Sequence, residues 1–190
     1  EEFNREISDQ VQYYGAYAHI RKRLDHEYHV HYKKERQWLQ NSMVEDCLFQ
    51  DGKYETPTQP WLIHAAGVMG AGKHYTISTL VEDGRLPLLS YVLVDTDDIR
   101  RRLPEFESYL QKCDSDCVDE LTRKEAGYIA ELTVRAALQA GRNIIWNTSF
   151  NDAKWFVELT KRARDEHSTL RVGILQIDAP RELILGRVEM

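Results

Sequence analysis

The sequence predicts an α/β fold, a doubly wound parallel sheet with helices on both faces, preceded by a helical extension. Three observations carry that expectation. Four short apolar runs, Trp61–Ala66, Ser90–Asp95, Asn143–Asn147 and Arg171–Asp178, have the length and continuous hydrophobicity of strands buried on both faces. Each is followed by a helical pattern or a loop leading to one, the alternation that a parallel sheet produces. The first run passes directly into Gly67-Val-Met-Gly-Ala-Gly-Lys-His-Tyr-Thr76, a glycine-rich turn ending in Gly-Lys.

Residues 5 to about 50 contain no proline, only Gly15, and many helix formers, which predicts two or more helices with a break between Gly15 and His31. Leu39, Met43, Val44, Cys47 and Leu48 keep helical spacing and are expected to bury one face. Asp51-Gly52 marks a turn, and Thr56-Pro-Thr-Gln-Pro60 stops any helix. The expected division is therefore a helical extension over residues 1–56 and an α/β core over 57–190. Within the core, helices are expected after Lys73, in a longer insertion that includes Thr122–Ala140, and over Asp152–His167. Arg181–Met190 looks like an unfinished helix, and the chain opens on Glu1. It is expected to be a piece of something longer, lacking a last strand and a C-terminal lid.

The turn after the first strand has the chemistry of a phosphate cradle. Gly67, Gly70 and Gly72 admit backbone conformations closed to residues with a Cβ, so successive N–H groups can point at phosphate oxygens. Val68, Met69, Gly70, Ala71, Gly72, Lys73, His74 and Tyr75 are the expected nucleotide-binding residues, with Lys73 reaching the β and γ phosphates of ATP. The partial positive charge of the following helix faces the same anion. The G-x-x-x-x-G-K pattern is complete, but His74 stands where a Ser or Thr hydroxyl ordinarily ligates Mg²⁺. An imidazole is a poor ligand for that ion, so Mg²⁺ is expected to be held through waters and the ATP phosphates, near Asp97.

Ligands of such sheets bind at the carboxyl ends of strands. The second strand ends in Val94-Asp-Thr-Asp-Asp-Ile-Arg-Arg-Arg-Leu-Pro104. Asp97 is a candidate general base for an attacking hydroxyl. Equally, Asp95, Asp97 and Asp98 can cap the next helix. Arg100 is the arginine chosen to face substrate.

Composition narrows the class. The chain has 190 residues, 42% hydrophobic and 29% charged, enough for one sizeable domain with an extension. A net charge of -6 argues against general nucleic-acid binding. There is no long apolar run or signal peptide, so no membrane association and a cytoplasmic location are expected. Cys47, Cys113 and Cys117 are expected to be free thiols, structural rather than redox-active. His19, His26, His29 and His31 complete no metal-ligand spacing and are expected on a helix surface.

Gly67–Lys73, Val94–Phe106 and Arg123-Lys-Glu-Ala-Gly-Tyr-Ile-Ala130 together resemble the zeta-toxin-type P-loop kinases, particularly their eukaryotic domains, over roughly residues 60–190. The resemblance implies a kinase core using ATP and Mg²⁺. Its bacterial toxins phosphorylate the 3′-hydroxyl of the sugar in UDP-N-acetylglucosamine. By resemblance, Lys73 and Asp97 are the catalytic pair, Glu125 helps hold the sugar, and Asn147 stands where an acid is expected at the end of the third strand. Asn151 stands where an arginine is expected. Two expectations follow: a small-molecule kinase with a hydroxyl acceptor, or a catalytically impaired nucleotide-binding module on the same fold. In either, the N-terminal helices are available for inhibitory or regulatory protein contacts.

Overall fold

The computed structural model describes residues 11–49, 55–68, 70–86, 88, 90–147 and 153–188. Its elements are α1 (Ala18–Arg21), α2 (Lys34–Phe49), β1 (Trp61–Ala66), α3 (Lys73–Glu82), β2 (Val92–Asp95), α4 (Thr96–Arg101), α5 (Phe106–Leu110), α6 (Ser115–Gln139), β3 (Ile144–Asn147), α7 (Ala153–Glu166), β4 (Arg171–Gln176) and α8 (Arg181–Val188). They form two compact units that do not follow chain order, residues 1–50 with 95–136 and residues 51–94 with 137–190.

The second unit is built on the sheet. Strand order is β2-β3-β1-β4, and β1 runs parallel to both β3 and β4, with Leu62 opposite Ile144 and Val172. Because β1 has a neighbour on each side, Leu62, Ile63, His64 and Ala65 are all buried, and the strand reads as one apolar run. The pleat sends alternate residues to opposite faces. Ile63 and Ala65 pack with Ala71, Ile77 of α3, Ile145 and Ile177. On the other face His64 and Trp146 pack against Phe156 of α7. α7 earns that position by spacing: Phe156, Leu159 and Ala163 are buried at intervals of three and four.

Three strand boundaries differ from the sequence expectation, and one of them is the start of β3 at Ile144 rather than Asn143. β2 begins at Val92 rather than Ser90, because the buried Asn143 side chain donates to the Ser90 carbonyl (3.0 Å) and accepts from Trp61 N (3.0 Å), closing the strand starts. β4 ends at Gln176 and is not buried on both faces: it is last in the strand order, and Ile174 is 73% exposed. Its apolar residues are those of an edge strand with one covered face.

The first unit holds the N-terminal helices with α4, α5 and most of α6. The break before His31 is present, and His19 lies exposed on α1 as expected, but His26, His29 and His31 fall in a stretch of turns, bends and irregular chain, off any helix. His29 is buried on Glu131 (2.7 Å), and the rings of His26 and His31 stack at 4.2 Å. On α2, Met43, Val44, Cys47 and Leu48 are buried as expected, while Leu39 is half-buried. Arg36, Gln37, Gln40 and Asn41 are buried too, a polar face that apolar spacing could not announce. It survives because each group is satisfied. Arg21 donates to Gln40 Oε1, Asn41 Oδ1, the Gln37 carbonyl and the Tyr128 hydroxyl at 2.6–3.0 Å. Glu125, Tyr128 and Glu131, three residues apart on α6, thus each meet a partner from the N-terminal segment. α6 starts at Ser115, within the expected helical insertion, where Asp114 caps it by accepting from Cys117 N (3.0 Å).

Candidate functional site

The glycine loop leaves the carboxyl end of β1, the strand whose neighbours β3 and β4 lie on opposite sides. That is the switch point at which open α/β sheets bind ligands. Three of its glycines have positive φ, 152° at Gly67, 82° at Gly70 and 83° at Gly72. A Cβ on Gly67 would come 2.3 Å from the Ile177 carbonyl oxygen, so the loop can lie against the end of β4 only with glycine there. Gly72, in the left-handed conformation, is the residue before α3 and turns the chain into it.

The first helical hydrogen bond of α3 runs from Thr76 N to the Gly72 carbonyl (3.0 Å). The N–H groups of Lys73, His74 and Tyr75 therefore precede the helical ladder, at the positive end of the helix dipole. Lys73 Nζ donates to the carbonyls of Gly67 (2.9 Å) and Val68 (3.3 Å), folding its ammonium back over the loop. Glycine conformations, helix start and ammonium together make a cradle for phosphate oxygens. His74 and Tyr75 are exposed beside it, and Met69 lies outside the described residues.

The fit to Mg²⁺ is different. With His74 after the lysine, the loop offers that ion no hydroxyl, and among the described residues no group of three His, Cys, Asp or Glu side chains could hold a metal.

In the first unit, the acidic cluster after β2 divides its labour. Asp95 is the cap: its Oδ1 accepts from Asp97 N (2.9 Å) and Asp98 N (3.2 Å). Asp97 caps nothing with its side chain, which is half exposed and lies 3.5 Å from Arg100 Nη2. Arg100 is ion-paired with Asp119 of α6 as well, so its charge is shared between two carboxylates. Glu125 is 2% exposed. Arg36 grips it through Nε (2.6 Å) and Nη2 (2.9 Å), Gln40 Nε2 donates to it (2.7 Å), and the other edge of the guanidinium takes Glu105 at 2.9 Å. Burial works against the charge of Arg36, but its hydrogen bonds to Glu125 and Glu105 outweigh that and raise its pKa above the ordinary arginine value. Asn147 is the last residue of β3, opposite Ala65 and buried, while Asn151 lies outside the described residues.

Arg36 and Asp119 were not legible as site residues. The i, i+4 spacing of Arg36 and Gln40 does place them on one face of α2, but nothing in the chain names Glu125 as what that face meets. Elsewhere in the second unit, a cavity of ≈ 260 Å³ is lined by Trp61, Ile63, Leu86, Leu88, Gly173, Ile174 and Leu175. It offers no charged side chain for a phosphate.

No curated protein matches the chain. Among solved structures, that of the PezAT chromosomal toxin–antitoxin system of Streptococcus pneumoniae is similar at a TM-score of 0.65 and 18% identity, covering 83% of this chain and 62% of that one. This chain thus spans less than two thirds of the length of that relative. A structure of a Pnkp1/Rnl/Hen1 complex matches with a TM-score of 0.46 and 20% identity over 71% of this chain and 42% of that one. The family model for zeta toxin matches residues 45–183, a span that takes in the glycine loop, the capped acidic turn and Glu125. The chain belongs to the zeta toxin family and has its P-loop kinase-like fold.

Proposed function

We propose that the chain is the nucleotide-binding core of an ATP-dependent phosphotransferase that moves the γ-phosphate to a hydroxyl of a small molecule. UDP-sugars such as UDP-N-acetylglucosamine are the first acceptors to test. The observation that carries the proposal is the cradle of positive-φ glycines and Lys73 at the head of α3. On nucleotide binding, Lys73 exchanges its two loop carbonyls for β and γ phosphate oxygens, a charge-assisted contact in place of a neutral acceptor. The N–H groups from Val68 to Tyr75 hold the remaining phosphate charge.

Transfer also needs a group that takes the acceptor's proton. Asp97 is assigned that role because its carboxylate is free of capping and open to solvent, and Arg100 orients it. Glu125 and Asn147 are assigned to the acceptor. For Glu125 this requires Arg36 and Gln40 to yield part of their hold. Mg²⁺, where it accompanies ATP, would supply charge neutralisation on the phosphates.

The occupied Glu125 and the absent hydroxyl at His74 favour a second reading, a nucleotide-binding module without efficient transfer whose N-terminal helices make regulatory contacts. Calorimetric titration of ATP, with and without Mg²⁺, into the native chain and Lys73→Ala tests the shared premise. Binding that needs Lys73 and tightens with Mg²⁺ is expected, and no binding at millimolar ATP would remove both readings. Given binding, phosphoryl transfer that disappears in Asp97→Asn supports the enzyme. Binding without transfer to any hydroxyl acceptor supports the module.

A further inference from the structure

We propose that Cys113 and Cys117 form a thiol–disulfide exchange site at the head of α6, one that reacts with small disulfides and prefers cationic ones. The local geometry sets the pair up. Asp114 is the cap of α6: its carboxylate accepts from Cys117 N (3.0 Å) and its carbonyl from Val118 N (3.0 Å). Cys113 is therefore the residue just before the cap, and Cys117 the third residue of the helix. Helical side chains tilt toward the N-terminus, and the one at this third position is the one that reaches back over the cap. The sulfur of Cys117 is thus aimed at Cys113, close enough for the two thiols to act on each other.

Both cysteines are partly exposed, whereas Cys47 is buried, with burial pushing its thiol pKa up. Residues four apart on a helix hold their Cβ atoms about 5–6 Å apart, and a disulfide needs roughly 3.5–4.5 Å. Cys113 lies in the bend after α5 rather than in α6, so that approach is made by the turn and leaves the helix intact. Its cost includes the bond from Cys113 Sγ to the Tyr109 carbonyl (3.4 Å).

Interaction with Cys113, followed by burial, pushes the Cys117 thiol up to about 11, and the first attack is assigned to Cys113, the sulfur that stands outside the helix. Its thiolate attacks a disulfide RS–SR, forming a protein mixed disulfide and expelling RS⁻, which takes a proton. Cys117 then loses its proton to solvent, attacks the Cys113 sulfur and expels the second RS⁻. The protein loses two hydrogens and two RSH are formed. Asp114 and Glu120 act on Cys117, and Asp116 shares the first turn, so the attacking turn is acidic. It repels an anionic disulfide and attracts a cationic one.

The test treats the native chain with cystamine, which is cationic, or with oxidised glutathione, which is anionic, then denatures it, blocks free thiols with a maleimide and weighs it. Cystamine is expected to lower the blocked thiols from three to one, with the loss of two hydrogens and no adduct retained. Cys117→Ser is expected to trap cysteamine on Cys113, and Cys47→Ser to close the ring as the native chain does. Ring closure several-fold slower with oxidised glutathione, the gap narrowing with added salt, supports the charge preference. Three thiols still blocked after cystamine, or cysteamine retained on both cysteines, would overturn the proposal. Equal rates for the two disulfides would overturn its charge preference.

Discussion

Gly67 and His64 are neighbours in sequence under opposite constraints, one from backbone and one from solvation. A Cβ at Gly67 would press on the backbone oxygen of Ile177 at 2.3 Å with φ at 152°, and neither partner is the movable end of a side chain. Gly67→Ala is expected to cost about 1–3 kcal/mol of unfolding free energy and to weaken ATP binding. Gly84→Ala, at φ 66° with nothing within 4 Å of the added methyl, is expected to cost about 1 kcal/mol or less. Denaturant unfolding of the two variants checks the order, and equal losses would mean that φ alone, not the close approach, demands glycine.

His64 sits on β1 between Trp146 and Phe156, and burial holds its pKa down to about 4. The fold therefore favours neutral imidazole, while the unfolded chain protonates near 6.5. The stability from this group is fully present above about pH 6.5 and is lost as pH falls toward 4, at about 1.4 kcal/mol per unit. Burial and the neighbouring His26 lower His31 in the same direction. Comparison with His64→Phe isolates one of the two: its stability is expected to fall less steeply between pH 6.5 and 4, and identical slopes would refute the assignment.

At the scale of elements, the capped start of α4 separates a structural carboxylate from a candidate chemical one. Asp95→Ala removes the acceptor for two amides and is expected to cost about 1 kcal/mol. Asp97→Asn leaves the cap intact and is expected to change stability by no more than about 0.5 kcal/mol while lowering any phosphoryl transfer by about a hundredfold or more. Unfolding curves and a transfer assay on both variants make the test; a cap loss in Asp97→Asn would reverse the roles.

α2 and α6 meet through buried charge. Arg36→Ala strands Glu125 with Gln40 as its remaining hydrogen-bond donor among the described contacts and is expected to cost about 3–5 kcal/mol. Replacing both partners, Arg36→Leu with Glu125→Leu, is expected to cost less than that single change, since no uncompensated charge stays buried. A double variant worse than the single one would mean that the shape of the pair, not its charge, holds α2.

The whole molecule carries a net charge of -6 and a pI of about 5.7, and no helix among the described residues is long and apolar enough to cross a membrane. An acidic chain has little counterion release to gain from a polyanion. Titration with a labelled duplex DNA and a single-stranded RNA at physiological salt is expected to give no binding tighter than about 10⁻⁴ M. Tight, salt-sensitive binding would point to a local basic surface and to a polynucleotide acceptor.

Strands, glycine loop and helix α3 were legible because their signals are local. A buried parallel strand must be apolar throughout, a left-handed turn must be glycine, and a helix must start after it, so Trp61–Glu82 follows from its own residues. The order of strands and the exposure of β4 were not legible, since both depend on which strands become neighbours. The same holds for the candidate site. Lys73 and the loop were written in one stretch of chain, whereas the states of Asp97, Arg100 and Glu125 depend on Asp119 and Arg36, brought from other elements. Polar burial leaves no pattern in sequence, because an arginine is affordable inside only when a carboxylate is already there to meet it, and that partner is chosen by tertiary contact.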